Sequence, residues 1–325
     1  MASAAQRRQT TKAILTRLLF AAVSLLFISL VTFLADEIAP GDAALTRAGE
    51  KATAEDVARI RKEMGLDRPW PIRYVEFLGQ AARFDFGDSL VGTQQPINAT
   101  LIKGLAITMK IATMAILLAA VLGIFMGVLA AIHENKFWDR VILSFSTLGV
   151  TIPNYVLLPL LVLLLAVQGG HFPTSYEPPD RQQAAEFFYI FLPVFVLALR
   201  PMATLTRLMR ASMVDTLKQE YVRLAIAKGV PRLRLYFKHC FRNALIPVLT
   251  AIGTSFGYLL TGSFVVETIY LVPGIGKAAI EAIMQRDTPT ILAATLVTGA
   301  LFVFVNLIVD ILLPLVDPRI RESQV

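Results

Sequence analysis

Cysteine is almost absent. Cys240 is the only one in 325 residues, so no internal disulfide can staple the chain, as befits a segment kept in a reducing compartment. Histidine is scarce: His133, His171 and His239 lie far apart and form no metal-ligand spacing, so no metal site is expected. Charge is thin as well, at 17% against 55% hydrophobic residues, with a mean hydropathy of +0.62. These values lie outside the range of a soluble domain. A phosphate-binding loop is missing too. Gly276-Lys277 is followed by Ala278 rather than Ser or Thr, with no glycine five residues upstream. No Ser/His/Asp or Cys/His arrangement falls at membrane depth, and no carboxylate pair lies within an apolar run. No catalytic residue is therefore expected, and any uphill movement of a solute must draw its energy from another protein.

What the chain has is long uncharged runs. Leu18–Ala35, Ile111–Ile132, Val141–Val167, Asn243–Val266 and Thr288–Val309 can each cross roughly 30 Å of hydrocarbon as a helix. A sixth run, Phe187–Leu199, spans only if its helix continues past Arg200, with that side chain snorkelling or facing protein. The expected fold is an all-α membrane protein of six transmembrane helices with a long loop after the first. Lys and Arg placement sets the orientation. Arg7, Arg8, Lys12 and Arg17 put the N-terminus in the cytoplasm, and ten Lys/Arg against two acids put 200–242 there too. The short loops 168–186 and 267–289, with one and two bases, fall outside. The C-terminus, with Arg319 and Arg321, returns inside. The net charge of +7 expresses this bias rather than nucleic-acid binding.

The loop 36–104 is too long for a plain connection. Thr53 and Asp56 form a capping box, Val57, Ile60 and Met64 share one helical face, and Gly65 provides a stop. A second short helix is expected over Tyr74–Arg83. Its polar face either meets a soluble partner or caps the bundle. In the spans, Pro153, Pro159 and Pro193 permit kinks, and Gly123 and Gly127 make a GxxxG pair for close helix approach. Intramembrane charges are few. Lys110 is placed to snorkel to the outer headgroups or to meet an anionic group of a solute, and Asp310 to cap or pair at the inner end. Lys110 and Pro153 are the candidate pathway residues. A secondary transporter would be expected to show more such charges.

The segment Arg210–Pro247 is basic and amphipathic, wedged between two spans. A helix is expected over Met213–Lys228, with Ser212 and Asp215 as caps, and Gly229 and Pro231 ending it. Val214, Leu217, Tyr221, Leu224 and Ala225 form its apolar face. A membrane protein with such a helix on its basic side has something to present it to.

Residues 220–247, EYVRLAIAKGVPRLRLYFKHCFRNALIP, carry a recognisable pattern. Tyr221-Val222-Arg223-x-Ala225-x-Ala227-Lys228-Gly229 and then His239, Asn243, Ala244 and Pro247 resemble the EAA loop of binding-protein-dependent ABC importer permeases, in its peptide-permease form. Leu224 replaces the Ala or Thr expected there. Other stretches are similar to the same branch in chain order. They are Ala39-Pro40-Gly41-Asp42, Gly65-Leu66-Asp67-Arg68-Pro69, Phe86-Gly87-Asp88-Ser89, Val266–Tyr270 with Pro273–Gly276, Arg286-Asp287-Thr288-Pro289, and Asp317–Arg321.

The resemblance implies a type I permease bundle in a prokaryotic inner membrane, the B-type subunit of a dipeptide/oligopeptide importer. Its nickel, glutathione and antibiotic-peptide relatives remain alternatives. An ATP-independent channel or secondary transporter, and a membrane scaffold, are readings of a different class. The implied partners are a homologous C-type permease, two ABC ATPase subunits and an extracytoplasmic substrate-binding protein. ATP and Mg would be bound by the ATPases, and this chain would hold no cofactor. Tyr221, Arg223, Leu224, Ala225, Lys228 and Gly229 would couple it to an ATPase through the 213–229 helix. The implied organisation is 1–35 tail and first helix, 36–104 outer loop domain, 105–317 permease core with coupling loop 207–246, and 318–325 tail.

Overall fold

The computed structural model describes residues 4–38, 43–49, 52–91 and 95–316, with side chains from 15 to 309. Asp42 of the PGD stretch, Asp310 and the 317–321 motif lie outside the described residues or side chains. Among the described residues the only extended pairing is an isolated bridge between Asp88 and Pro96, and the rest is helix and turn. The helices are α1 Ala4–Ile38, α2 Ala43–Ala48, α3 Ala54–Glu63, α4 Trp70–Ala82, α5 Ile97–Ile132 and α6 Phe137–Thr151. They continue with α7 Asn154–Gln168, α8 Glu186–Leu217, α9 Glu220–Ala227 and α10 Arg232–Ile269. α11 Ile275–Gln285 and α12 Thr288–Val316 complete the chain. The ends of α7 and the start of α10 wind as π-helix, over Val162–Gln168 and Leu235–Cys240.

Among the described residues five helices are long and apolar enough to cross a membrane: α1, α5, α8, α10 and α12. The third predicted span is not one straight helix. α6 and α7 meet at 102°, and the pair makes the sixth crossing if counted as one. Pro153 causes the break. Ile152 before it takes extended backbone (ψ 120°), because proline's ring excludes the helical region from its predecessor. The fourth span, short by its uncharged run, is a 32-residue helix that continues through Arg200 and Pro201. It is also the most buried of the spans.

The chain divides into two compact units, Met1–Thr108 with Pro273–Leu307, and Met109–Val272 with Ile308–Val325. In the first, α3 carries the expected capping box. Thr53 Oγ1 accepts from the Asp56 N–H at 3.2 Å and Asp56 accepts from the Thr53 N–H at 3.3 Å. The Thr53 hydroxyl bond first, and then the Arg59 guanidinium at 3.2 Å, hold the Asp56 carboxyl below the usual range. Gly65 (φ +65°) ends the helix, with its N–H on Lys62 O and the Leu66 N–H on Arg61 O.

The second loop helix, α4, begins four residues earlier than expected and packs along α1. Tyr74 Oη lies 2.9 Å from Ser29 Oγ and 3.2 Å from Leu26 O. Arg73 pairs with Glu37 at 2.8 Å and sits over the Phe33 ring. Two distant motifs are joined in this unit. Asp287, 4% exposed, accepts from Ser89 Oγ at 2.6 Å, the Leu90 N–H at 3.1 Å and Thr290 Oγ1 at 2.6 Å. Gly104 lets α5 reach the Gly274–Ile275 backbone, which lies 2.9 Å from where a Cβ would stand.

In the second unit α8 is the central helix. The GxxxG pair of α5 packs against it as expected. A Cβ on Gly123 would stand 2.9 Å from Met202 O, and one on Gly127 2.6 Å from Met209 Cβ. The connection 169–185 is tied by the fully buried Tyr270, whose hydroxyl donates to Pro173 O at 2.7 Å. Its carbonyl accepts the Tyr176 N–H at 2.8 Å, and burial pushes its phenol pKa up.

Candidate functional site

The helix of the basic segment is α9, and it is shorter than the sequence suggests. Residues 213–217 belong to the end of α8. Ser212 is no cap: its carbonyl accepts Thr216 Oγ1 at 2.7 Å, inside α8. The break falls at Lys218–Gln219, where Gln219 turns to extended backbone (φ −69°, ψ 149°) and starts α9. The capping pattern at Ser212 and Asp215 misleads because burial of Met213, Val214 and Thr216 holds α8 past it.

α9 has one side turned inward, carried by Val222, which is fully buried. The expected apolar face is different: Leu224 is 58% exposed and Tyr221 41% exposed, while Ala225 is half-buried. Ile226, 57% exposed, joins the outward side and was not singled out by the sequence pattern. Arg223 and Lys228 are exposed beside it. α9 is thus an eight-residue helix with two aliphatics and two cations exposed.

The exit from α9 is the bend expected at Gly229. Its φ is +76°, its N–H donates to Ile226 O at 2.9 Å, and the Val230 N–H donates to Ala225 O at 3.1 Å. This is a complete Schellman turn, which needs left-handed backbone at the glycine. Open space surrounds its Cα, so the requirement is conformational rather than steric.

Two further contacts fix α9 to the bundle. Asn243 Nδ2 on α10 donates to Tyr221 Oη at 2.9 Å, and Tyr221 Oη donates to His239 O at 3.4 Å. Thus Tyr221 is committed to its own chain as well as facing outward. At the base of α8, Arg210 grips Asp139 of α6 with two bonds of 2.5 and 2.6 Å. Asp139 is 2% exposed and also accepts the Asn135 N–H at 2.8 Å. Lys218 reaches Glu134 at 3.2 Å. Sequence spacing gives no hint of these pairs, whose members stand 71 and 84 residues apart.

The two pathway candidates fall elsewhere. Lys110 pairs with Glu186 at the start of α8, at 2.5 Å, rather than standing free for headgroups or solute. Pro153 is exposed at the α6–α7 break.

The model of the family described as binding-protein-dependent transport system inner membrane component matches residues 123–322, and its N-terminal companion matches 10–112. A peptide transport system permease protein of Brucella abortus is 37% identical over 96% of this chain and 99% of its own length. The dipeptide transport system permease DppB of Bacillus subtilis is 36% identical, covering 92% and 94%. The oligopeptide transport system permease OppB of Salmonella typhimurium is 34% identical, covering 95% and 99%. A crystal structure of an amino acid ABC transporter with histidines shares the fold, with a TM-score of 0.51 at 21% identity over 68% of this chain and 94% of that one. The chain belongs to the family of binding-protein-dependent transport system inner membrane components, as a multi-helix membrane permease subunit that is not itself catalytic.

Proposed function

We propose that this chain is the B-type permease of an ATP-driven importer of di- or oligopeptides in a prokaryotic inner membrane, with both termini in the cytoplasm. The observation that carries the reading is α9: a short helix with Leu224, Ile226, Arg223 and Lys228 exposed, ended by the Gly229 turn and bonded back to α10 through Tyr221. It docks in a groove of an ABC ATPase subunit, with Tyr221, Arg223, Leu224, Ala225, Lys228 and Gly229 as the coupling set. The peptide substrate follows from the names of the relatives at 34–37% identity.

The complex then holds a homologous C-type permease, two ATPase subunits that bind ATP and Mg, and an extracytoplasmic binding protein. ATP-driven closure of the ATPases moves α9, and the Arg210–Asp139 and Lys218–Glu134 pairs pass that motion to α6. Helices α2, α3 and α4, within the outer residues 36–104, lie next to the binding protein, and Pro153 supplies the fixed bend of the third crossing. The test is capture of a tagged chain in mild detergent, with identification of what is retained. A second permease and Walker-type ATPases are expected. Recovery of the chain alone, passing solute in liposomes without ATP, would establish a channel instead.

A further inference from the structure

In the outer half of α8 the residues from Tyr189 to Leu199 are almost all buried within this chain. At Arg200 a strip opens: Arg200, Thr204, Arg207 and Ala211 are exposed, at spacings of four, three and four residues that share one helical face. The other faces are occupied. Met202, Thr206 and Met209 meet the α5 glycines, Leu199 meets Gly149, and Arg210 holds Asp139. Among the described residues neither the Arg200 nor the Arg207 guanidinium has an ion-pair or hydrogen-bond partner. The nearest acid along the strip is Asp215, about 12 Å below Arg207 at 1.5 Å per residue.

Depth decides what the strip faces. If hydrocarbon begins near Phe187, Arg200 lies about 20 Å into a core of roughly 30 Å, and Arg207 lies at its inner edge. Arg207 reaches headgroups easily. Arg200 does not, because the Cα–Cβ bonds of α8 tilt toward its N-terminal, outer end, so the stem of Arg200 leans toward the bilayer centre. An arginine there facing lipid costs about 2.5–3.5 kcal/mol or more. The neighbouring α10 also leaves polar groups uncovered at mid-span, Thr254, Tyr258 and Thr261.

We propose that the strip headed by Arg200 lines a water-filled vestibule open to the cytoplasmic side, and that Arg200 and Arg207 receive a carboxylate there, that of the transported solute. This rests on the importer reading for the solute's identity. The vestibule itself rests only on exposure, spacing and depth. A carboxylate could also come from an acidic side chain of a second permease subunit, and the experiment separates the two.

In the assembled complex in native membrane vesicles, with Cys240→Ala removing the one native thiol, Thr204→Cys places a thiol between the arginines. Anionic and cationic methanethiosulfonates of similar size are the probes. The thiol should react with both and faster with the anion, and Arg200→Gln should lower the anion-to-cation rate ratio about tenfold. A saturating free-acid dipeptide should protect the thiol, and its C-terminal amide should not. No reaction with either reagent would show the strip covered by lipid or protein and overturn the vestibule. Reaction without charge preference would mean a partner's acid neutralises the arginines, and equal protection by acid and amide would sink the carboxylate site. None of these failures touches the capture of ATPases, so the two readings stand or fall separately.

Discussion

In the proposed function, Gly229 is the residue on which coupling geometry rests most directly. A side chain at φ +76° costs about 1–2 kcal/mol in a left-handed turn, and more when β-branched. Gly229→Val is therefore expected to leave membrane insertion intact and abolish ATP-driven uptake, with Gly229→Ala intermediate. Uptake in vesicles normalised to permease by immunoblot checks both. Asp139 works differently. Its carboxylate answers two guanidinium bonds and a backbone N–H in a buried place, so Asp139→Asn leaves Arg210 half-answered. Loss of about 3 kcal/mol is expected, at the low end for a broken buried pair because Arg210 is partly exposed. Thermal unfolding of the purified complex should show it. A charge swap should not restore stability, because an arginine at 139 cannot accept the Asn135 N–H. Of these two residues only the glycine was legible in the sequence, because a helix stop is local chemistry, whereas a salt bridge across 71 positions leaves no local trace.

At the scale of elements, helix contacts made by small residues were readable and helix ends were not. Gly123 and Gly127 announced a close approach, and α8 fills it with Met202 and Met209. Gly127→Leu should force the α5–α8 contact apart and leave little correctly assembled complex, as size-exclusion chromatography in detergent would report. Gly262 has nothing within 4 Å of its hypothetical Cβ, so Gly262→Ala should be silent in the same assay. The kink of the third span was legible in Pro153, though its size, 102°, was not. The α8–α9 boundary was not legible. No Gly or Pro marks Lys218–Gln219, so the break is imposed by burial of Val222 and by the bonds of Tyr221 rather than by propensity. The capping box of α3 was legible in full because every partner lies within four residues.

At the scale of the molecule, the family was readable from ordered motifs, but what those motifs do for one another was not. The Phe86–Ser89 and Arg286–Pro289 stretches are each a few residues of ordinary composition. Asp287 joins them, with Ser89 198 residues away in sequence. The first compact unit is therefore built from both ends of the chain. A protein truncated after Val272 should still insert its first spans, yet its segment 43–104, outer in the proposed orientation, should be cut by added protease far faster than in the full chain, as limited proteolysis of spheroplasts would show. Asp287→Asn should reproduce part of that sensitivity.

The joint at Asp287 also acts on synthesis. In the orientation proposed above, a chain leaving the ribosome displays the Ser89 segment on the far side of the membrane long before its acidic counterpart has been made. Until the last helix is threaded, that segment has nothing to close on. In that orientation, how readily an added protease cuts the outer segment reports whether the polypeptide was completed.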